Sequence, residues 1–320
     1  MTTSIDYHPV SENEQQQAIN LWEQIFTQFA RGFFPRYYSL AAPSYRYGDT
    51  LGAWCNGSLV STVHICRLTF RNGNETYLCG GIACVATLPE YRERGISRRL
   101  LEQAIDKMKN EGFYISMLNS LRNSHFEYIG FEQHSLSRQI LIDLNENIDD
   151  VSISSKFSWK TAHTDEEINN IYAKQPRPFQ LDRSREYFEG WLNWNWQQDK
   201  AILHVIPEQG YIVLNRSNSD HDDGICSVSE WQAINREIEQ QLLVQASYKA
   251  QQLHSKQIRL AATPIFVDRQ WIEKNLGRIV KIDEDETTMI RNINLSTNQY
   301  QKIKSFYATG EATMWPTDYF

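Results

Sequence analysis

Residues 84–101 read Cys84-Val85-Ala86-Thr87-Leu88-Pro89-Glu90-Tyr91-Arg92-Glu93-Arg94-Gly95-Ile96-Ser97-Arg98-Arg99-Leu100-Leu101. The stretch opens as an apolar strand, stops at Pro89, turns through an arginine-rich loop and starts an amphipathic helix at Gly95. Amides at the start of a helix have no internal partners, and the helix dipole adds partial positive charge there. Such a turn suits an anionic group held by backbone N–H donors, and Gly95 lets the backbone approach it closely. After Gly95, the residues Ile96, Leu100, Leu101, Ala104, Ile105 and Met108 fall on one helical stripe, with Arg98, Arg99, Gln103, Asp106 and Lys107 mostly off it. Gly112 supplies the stop.

The flanks extend the pattern. Upstream, residues 51–55 and 59–70 predict two strands joined at Asn56-Gly57, a strong hairpin signal, and a helix is expected over about 14–30. Downstream, 114–118 predicts a strand and 119–126 a short helix, followed by Gly130-Phe131. Arg92-x-x-Gly95-x-Ser97 behind the strand 83–87 resembles the coenzyme A pyrophosphate loop of the GNAT N-acetyltransferases, whose usual pattern is Arg/Gln-x-x-Gly-x-Gly/Ala. The resemblance covers about residues 5–145. It implies acetyl-CoA as cosubstrate, bound by Val85, Ala86, Thr87, Arg92, Glu93, Arg94, Gly95, Ile96, Ser97 and Arg98, with Asn119 and Phe126 on the elements that follow. No metal is implied.

At 320 residues the chain is expected to hold about two domains. Charged residues at 22% and hydrophobic residues at 41% describe a soluble globular protein. No apolar run reaches the roughly 20 residues a membrane helix needs, and the first residues lack an export signal, so a cytoplasmic address is expected. Cys55, Cys66, Cys79, Cys84 and Cys226 lie in or beside apolar strand patterns without C-x-x-C spacing, which predicts buried, reduced thiols. A formal net charge of −7 argues against nucleic-acid and anionic-membrane partners. The same acidity mildly favours a cationic acceptor, and solubility explains it equally well.

The second half carries a faded copy of the first. Gly81-Ile82-Ala83-Cys84-Val85 leads to a helix containing Arg98-Arg99-Leu100-Leu101, and Gly224-Ile225-Cys226-Ser227-Val228 leads to one containing Gln240-Gln241-Leu242-Leu243. The first copy is expected to end in a strand at 136–144 and the second in a comparable one at 288–295. Between Val228 and Leu242 there is no glycine and a single arginine, Arg236, so the copy should not bind coenzyme A. One competent domain followed by a degenerate one resembles the Eis-like (enhanced intracellular survival) acetyltransferases, as do Pro176-Arg177-Pro178, a helix over 184–193 and the aromatic tail 314–320. Those relatives usually continue into a sterol-carrier-like domain, for which this chain leaves no room. The expected fold is therefore α/β (α+β): two tandem GNAT-type domains, 1–146 catalytic and 156–320 degenerate, each a mixed, mainly antiparallel sheet flanked by helices.

An alkyl amine with a pKa of about 10.4 must lose a proton before it attacks a thioester. The strand 80–87 offers no carboxylate for this. The resemblance points instead to the terminal carboxylate of Phe320, whose tail could equally seal domain two through Trp315 and Tyr319; His64 is the backup base, or else a satisfied core histidine. The resemblance puts the oxyanion donor at a backbone amide within 85–87. The position where the family commonly has a tyrosine acid, four residues before Gly130, holds Phe126, which cannot donate a proton. Tyr128 is the substitute candidate, against a packing role. Phe33, Phe34, Tyr37 and Tyr38 are candidates for the acceptor side, and Trp191, Trp194 and Trp196 for domain-interface packing. Residues 145–160 read as a linker and 215–223 as a polar loop with only a faint calcium signal in Asp220, Asp222 and Asp223.

These readings converge on transfer of an acetyl group from acetyl-CoA to a primary amine, on a small molecule or a peptide, by direct attack. Three alternatives stay open: an acyl-CoA-binding regulator with little turnover, a protein-lysine acetyltransferase, and a non-catalytic interaction protein. Relatives assemble, so a homo-oligomer is a further expectation.

Overall fold

The structure, a computed structural model, describes residues 4–29, 32–38, 46–146, 158–174, 177–216 and 224–318. The expected linker lies mostly, and the expected polar loop with its three aspartates almost wholly, outside the described residues, as does Phe320.

The chain begins with β1 (Asp6–Pro9), α1 (Gln15–Ile25) and α2 (Phe33–Tyr37). Strands β2 (Thr50–Cys55), β3 (Ser58–Asn72) and β4 (Glu75–Thr87) follow, then α3 (Ile96–Asn110) and β5 (Ile115–Asn119). Helix α4 (Ser124–Glu127), β6 (Glu132–Gln133) and β7 (Arg138–Leu144) close the first half. The second half runs β8 (Lys160–Thr161), α5 (Glu166–Lys174) and β9 (Gln180–Leu181), then a π-helical segment Tyr187–Leu192 continuing into α6 (Asn193–Gln198). It continues through β10 (Ile202–Ile206), β11 (Gly210–Arg216), β12 (Cys226–Ala233), α7 (Arg236–Gln252) and β13 (Gln257–Leu260). The last elements are α8 (Arg269–Asn275), β14 (Gly277–Glu284), β15 (Thr288–Asn292) and α9 (Thr297–Thr309).

Two mixed sheets result. The first has the order β1-β2-β3-β4-β5-β15-β6 with β9 added on β3, and the second β14-β7-β13-β12-β11-β10-β8. Each contains one parallel pair, β4 with β5 and β12 with β13, among antiparallel neighbours. The class is the expected one. Its strands nevertheless cross the sequence midpoint. Strand β7, which belongs to the first half in sequence, pairs with β13 and β14 in the second sheet, while β15 fills the gap between β5 and β6 in the first.

Local chemistry explains the elements that frame the cleft. Asn56 (φ 50) and Gly57 (φ 79) make the left-handed hairpin turn between β2 and β3. All six residues of the apolar stripe of α3 are buried, and Gly112 (φ 78) turns the chain after it. The expected helix over 119–126 shrinks to α4, because the Ser120 hydroxyl takes the Arg122 amide at 2.8 Å and makes a turn first. The helix expected over 184–193 is π-helical at its centre. The five cysteines form no disulfide among the described residues; four of them are buried and Cys84 is half-buried. Among the described residues no helix is long and apolar enough to cross a membrane.

Candidate active site

The cradle begins where β4 leaves the sheet. Its parallel ladder with β5 runs from Cys79 opposite Ile115 to Ile82 opposite Leu118 and then ends, so the strands splay. On the other side of β4 the ladder with β3 slips between Ala83 and Ala86: Cys84 and Val85 together face the single residue Val63. Cys84 takes a left-handed conformation (φ 47) at this bulge. Its carbonyl accepts the Thr62 hydroxyl at 2.9 Å, and that hydroxyl accepts the Trp22 indole N–H at 2.8 Å. The peptide plane is trans, so the Val85 N–H points opposite to the pinned carbonyl, away from Thr62.

Beyond β4 a short 3₁₀ turn, Pro89–Tyr91, leads to Glu93 (φ 62) and Gly95 (φ 73), and α3 starts at Ile96. No side chain caps this helix, and the first intrahelical bond is made by the Arg99 amide to the Gly95 carbonyl at 3.1 Å. The amides of Ile96, Ser97 and Arg98 are thus left for an external acceptor. A Cβ built on Gly95 meets nothing within 4 Å, so the turn faces open space that a larger residue would enter. A diphosphate fits a concave turn of this kind, with uncapped amides and partial positive charge.

The cleft occupies about 1740 Å³. Val85, Thr87, Arg92, Glu93, Gly95, Ile96, Ser97, Arg98, Asn119 and Phe126 line it together, with Tyr128 beside them. Two of the expected cofactor residues stand elsewhere. Ala86 is buried, with its carbonyl accepting the Ser61 hydroxyl at 2.7 Å, and Arg94 does not line the cleft; its guanidinium donates to the Glu90 carbonyl at 2.7 Å and stacks on Tyr91. Arg92 donates to the Thr87 carbonyl at 3.1 Å, bracing the loop against the end of β4. Arg98 lies over the Tyr128 ring with its centre 4.5 Å from the centroid. Tyr128 is 40% exposed, and partial burial raises its hydroxyl pKa, Arg98 opposing.

His64 stands apart from the other candidates. It has no exposure, does not line the cleft, and packs against the rings of Trp22, Tyr37 and Tyr38. Its Nδ1 is 2.8 Å from the Thr50 hydroxyl, and burial lowers its pKa from 6.5 to about 4. A neutral imidazole sealed behind the cleft wall has no route to a bound amine.

The far wall has an aromatic part, for which the sequence offered Phe33, Phe34, Tyr37 and Tyr38, and an acidic part that it did not place. Phe26, Phe29, Phe33, Phe34 and Tyr37 form an aromatic face, joined across the halves by Trp191, whose ring is 5.5 Å from Phe33. Tyr38 packs inward on Trp22 instead. Trp194 meets Phe33 and Arg36, while Trp196 is buried within the second half. Asp283 and Glu284 at the end of β14, paired with Lys281 and Arg138, and Asp285, Glu286 and Thr287 of the turn to β15 also line the cleft, with Pro316 and Thr317. The acidic run is plain in the sequence, but only the exchange of β15 into the first sheet brings it beside β5.

Comparison with known proteins agrees with this geometry. Residues 6–134 match the family model described as Acetyltransferase (GNAT) domain. Sequence comparison with curated proteins finds no match. Among solved structures the chain is similar to a GCN5-related N-acetyltransferase from Kribbella flavida (17% identity, TM-score 0.69, covering 91% of this chain and 71% of that one). A conserved protein of unknown function from Enterococcus faecalis V583, described as a probable N-acyltransferase, is similar at 15% identity and TM-score 0.72, over 91% and 73% of the two chains. Eis1 from Mycobacterium abscessus is similar at 15% identity and TM-score 0.65, over 91% and 74%. The chain thus carries a GNAT domain at 6–134, within a fold consistent with an Eis-like tandem arrangement. A domain of this family implies acyl transfer from acyl-CoA.

Proposed function

We propose, with the GNAT domain at residues 6–134 as premise, that this chain is an acetyl-CoA-dependent N-acetyltransferase that acetylates a primary amine by direct attack. The observation that carries the reading is one continuous cleft. It brings together the uncapped helix start at Ile96, Ser97 and Arg98, the splayed end of β4, and a wall of aromatic and acidic side chains.

The diphosphate of the cosubstrate would sit on the amides at the start of α3, and its acyl arm would lie along β4 between the splayed strands. The acidic turn at 283–286 would draw in an ammonium group and the aromatic face would exclude water from it. Once deprotonated, the amine nitrogen would form a bond to the thioester carbon. The carbonyl oxygen would gain negative charge, and the Val85 N–H would donate a hydrogen bond to it from a fixed position, a contribution of roughly 3 kcal/mol to the transition state. The C–S bond then breaks, the nitrogen releases its second proton to solvent, and the thiolate takes a proton from water or from Tyr128, whose raised pKa keeps it protonated at neutral pH and which then regains a proton from solvent.

Phe320 remains the proposed base through its carboxylate; it follows closely on Pro316 and Thr317, which line the cleft. Deleting Phe320 and finding turnover unchanged would remove it. The division into units 1–146 and 156–320, a cytoplasmic workplace, self-association, and acceptors limited to small-molecule or peptide amines belong to the same proposal.

A second reading, an acyl-CoA-binding regulator, is favoured by Phe126, a buried ring where a phenol would serve as the acid. Calorimetry with acetyl-CoA, followed by thiol-release assays with polyamines, aminoglycosides and lysine peptides, separates the readings. Binding without release of thiol supports the regulator; release with peptides alone supports a protein modifier. Absence of acetyl-CoA binding defeats both.

A further inference from the structure

We infer that Arg183, held between Glu230 and Asp318 inside the second half, is a positioning residue that fixes the segment Pro316–Asp318 as the wall of the acceptor end and presents Thr317 to the bound amine. The inference rests on the proposed transfer reaction for its functional half, and on geometry alone for its structural half.

Arg183 makes four hydrogen bonds to carboxylates. Nη1 and Nη2 donate to Glu230 at 2.7 and 2.9 Å, and Nε and Nη2 donate to the two oxygens of Asp318 at 2.9 Å each. Glu230 belongs to β12, in the interior of the second sheet, and Tyr211 of β11 donates to it at 2.5 Å. Asp318 ends a short 3₁₀ turn, Pro316–Asp318, that comes after α9, and the bonds converge on it and its neighbour. The Tyr187 hydroxyl lies 2.7 Å from an Asp318 oxygen and 3.1 Å from the Thr317 carbonyl, which also accepts the Trp191 indole N–H at 3.2 Å. The side chains of Arg183, Glu230 and Asp318 are essentially without solvent exposure.

One cation between two buried carboxylates is a poor way to gain stability, because desolvation offsets most of the attraction and apolar replacements of similar size often do as well. What such a cluster secures is a single arrangement. Here the arrangement reaches the cleft. Pro316 and Thr317 line it, and Trp191, tied to the Thr317 carbonyl, turns its ring onto Phe33 and Tyr37 of the aromatic face. Thr317 is 8% exposed and its hydroxyl has no hydrogen-bond partner among the described residues. The hydroxyl oxygen is itself closed to solvent, so a small rotation of the Thr317 side chain is what turns it from an unpartnered buried group into one that a ligand nitrogen can satisfy.

Asp318→Asn tests the placement without creating an unpaired buried charge, because it leaves a neutral Arg183–Glu230 pair. Hydrogen exchange read by mass spectrometry is expected to rise at residues 314–318 and 187–192 and to stay unchanged at 96–110. Unchanged exchange at 314–318 overturns the inference, whether or not the protein turns over any amine. The functional half is read from thiol release with whichever of spermidine, tryptamine or an acetylatable lysine peptide supports it. Both Asp318→Asn and Thr317→Val, which keeps the shape and removes the hydroxyl, are expected to raise the amine KM about five- to tenfold while acetyl-CoA affinity by calorimetry stays within twofold. An unchanged KM, or a parallel loss of acetyl-CoA affinity, overturns it. Failure of the wild-type protein to release thiol with any probe counts against the proposed reaction, and leaves the placement to be judged by exchange.

Discussion

The two halves of the molecule build the same strand junction and treat it in opposite ways. In the first, β4 and β5 part beyond Ile82 and Leu118, and the space between them opens into the cleft. In the second, β12 and β13 part beyond Val228 and Leu260, and side chains fill the gap. Arg177 lies there with its guanidinium near the rings of Trp231 and Trp315, 5.6 and 5.3 Å from their centroids, and donates to the Thr263 and Gly310 carbonyls. Burial lowers its pKa to about 10, against the pull of Glu239. Glu239 in turn accepts the amides of Ile265, Phe266 and Val267 and the Trp231 indole. The helix starts differ as well. Gly95 leaves the amides of α3 uncapped, whereas the Asn235 side chain accepts the Ile238 amide of α7 at 3.0 Å. The second half has the same junction without the opening, and two features close it: a capping side chain at the helix start and a plug in the splay.

The hardest way to break this comparison is to separate the halves. Residues 1–146 expressed alone lose β15 from between β5 and β6 and leave β7 without either of its neighbours. The fragment is expected to lack a cooperative thermal transition by circular dichroism, and the whole chain to melt in one step. A fragment that melts sharply and binds acetyl-CoA would show that the exchanged strands are dispensable.

Acid works against both halves next, since burial lowers the pKa of His204 in the second half as it does that of His64 in the first. The first half buries His64 as a neutral imidazole with a pKa of about 4, against 6.5 when unfolded. Between those values the unfolded chain binds a proton that the native chain does not, so stability rises with pH across the window and is lost on acidification from 6.5 towards 4. The loss approaches roughly 3 kcal/mol by pH 4. His64→Gln keeps a polar partner for Thr50 and should flatten the pH dependence of urea midpoints between pH 7 and 4.5 relative to wild type. Parallel curves for the two proteins would sink the assignment.

How much of this was legible in the sequence follows from how local each signal is. The apolar stripe of α3, the Asn56-Gly57 turn and the glycine at the helix start depend on neighbours a few residues away, and all three appear as read. The alternation of β7 announces a strand without naming its partner, so the exchange with β15 was invisible. With it went the acidic wall, which only long-range pairing brings to β5. The bulge at Cys84 also left no trace, since a left-handed non-glycine residue inside a strand contradicts every local preference and is held by the Thr62 and Trp22 hydrogen bonds.

The cradle and its capped counterpart can be compared directly. Gly95→Val places a β-branched residue in a left-handed conformation, at about 1–2 kcal/mol, and pushes its side chain into the open turn. Acetyl-CoA affinity should fall at least about tenfold by calorimetry. Asn235→Gly, at the matching place in the second half, should uncap α7 yet leave one acetyl-CoA bound per chain, because the splay behind it stays plugged by Arg177. A second bound equivalent would mean that the cap alone had closed the site.

The smallest expected difference lies within the cradle itself, between two arginines that the sequence alone cannot rank. Arg92 lines the cleft and braces the Thr87 carbonyl, so its removal both weakens the positive field at the diphosphate and loosens the end of β4. Arg94 points its guanidinium back at the Glu90 carbonyl and over Tyr91, outside the cleft. Both are exposed, where a single charge contributes at most about 1 kcal/mol and is screened by salt. Arg92→Ala is therefore expected to weaken acetyl-CoA binding about fivefold at low salt, with the difference shrinking by 0.5 M salt, and Arg94→Ala by less than twofold. The reverse ranking would mean that the loop rotates when the diphosphate binds and that Arg94, released from Glu90, supplies the contact.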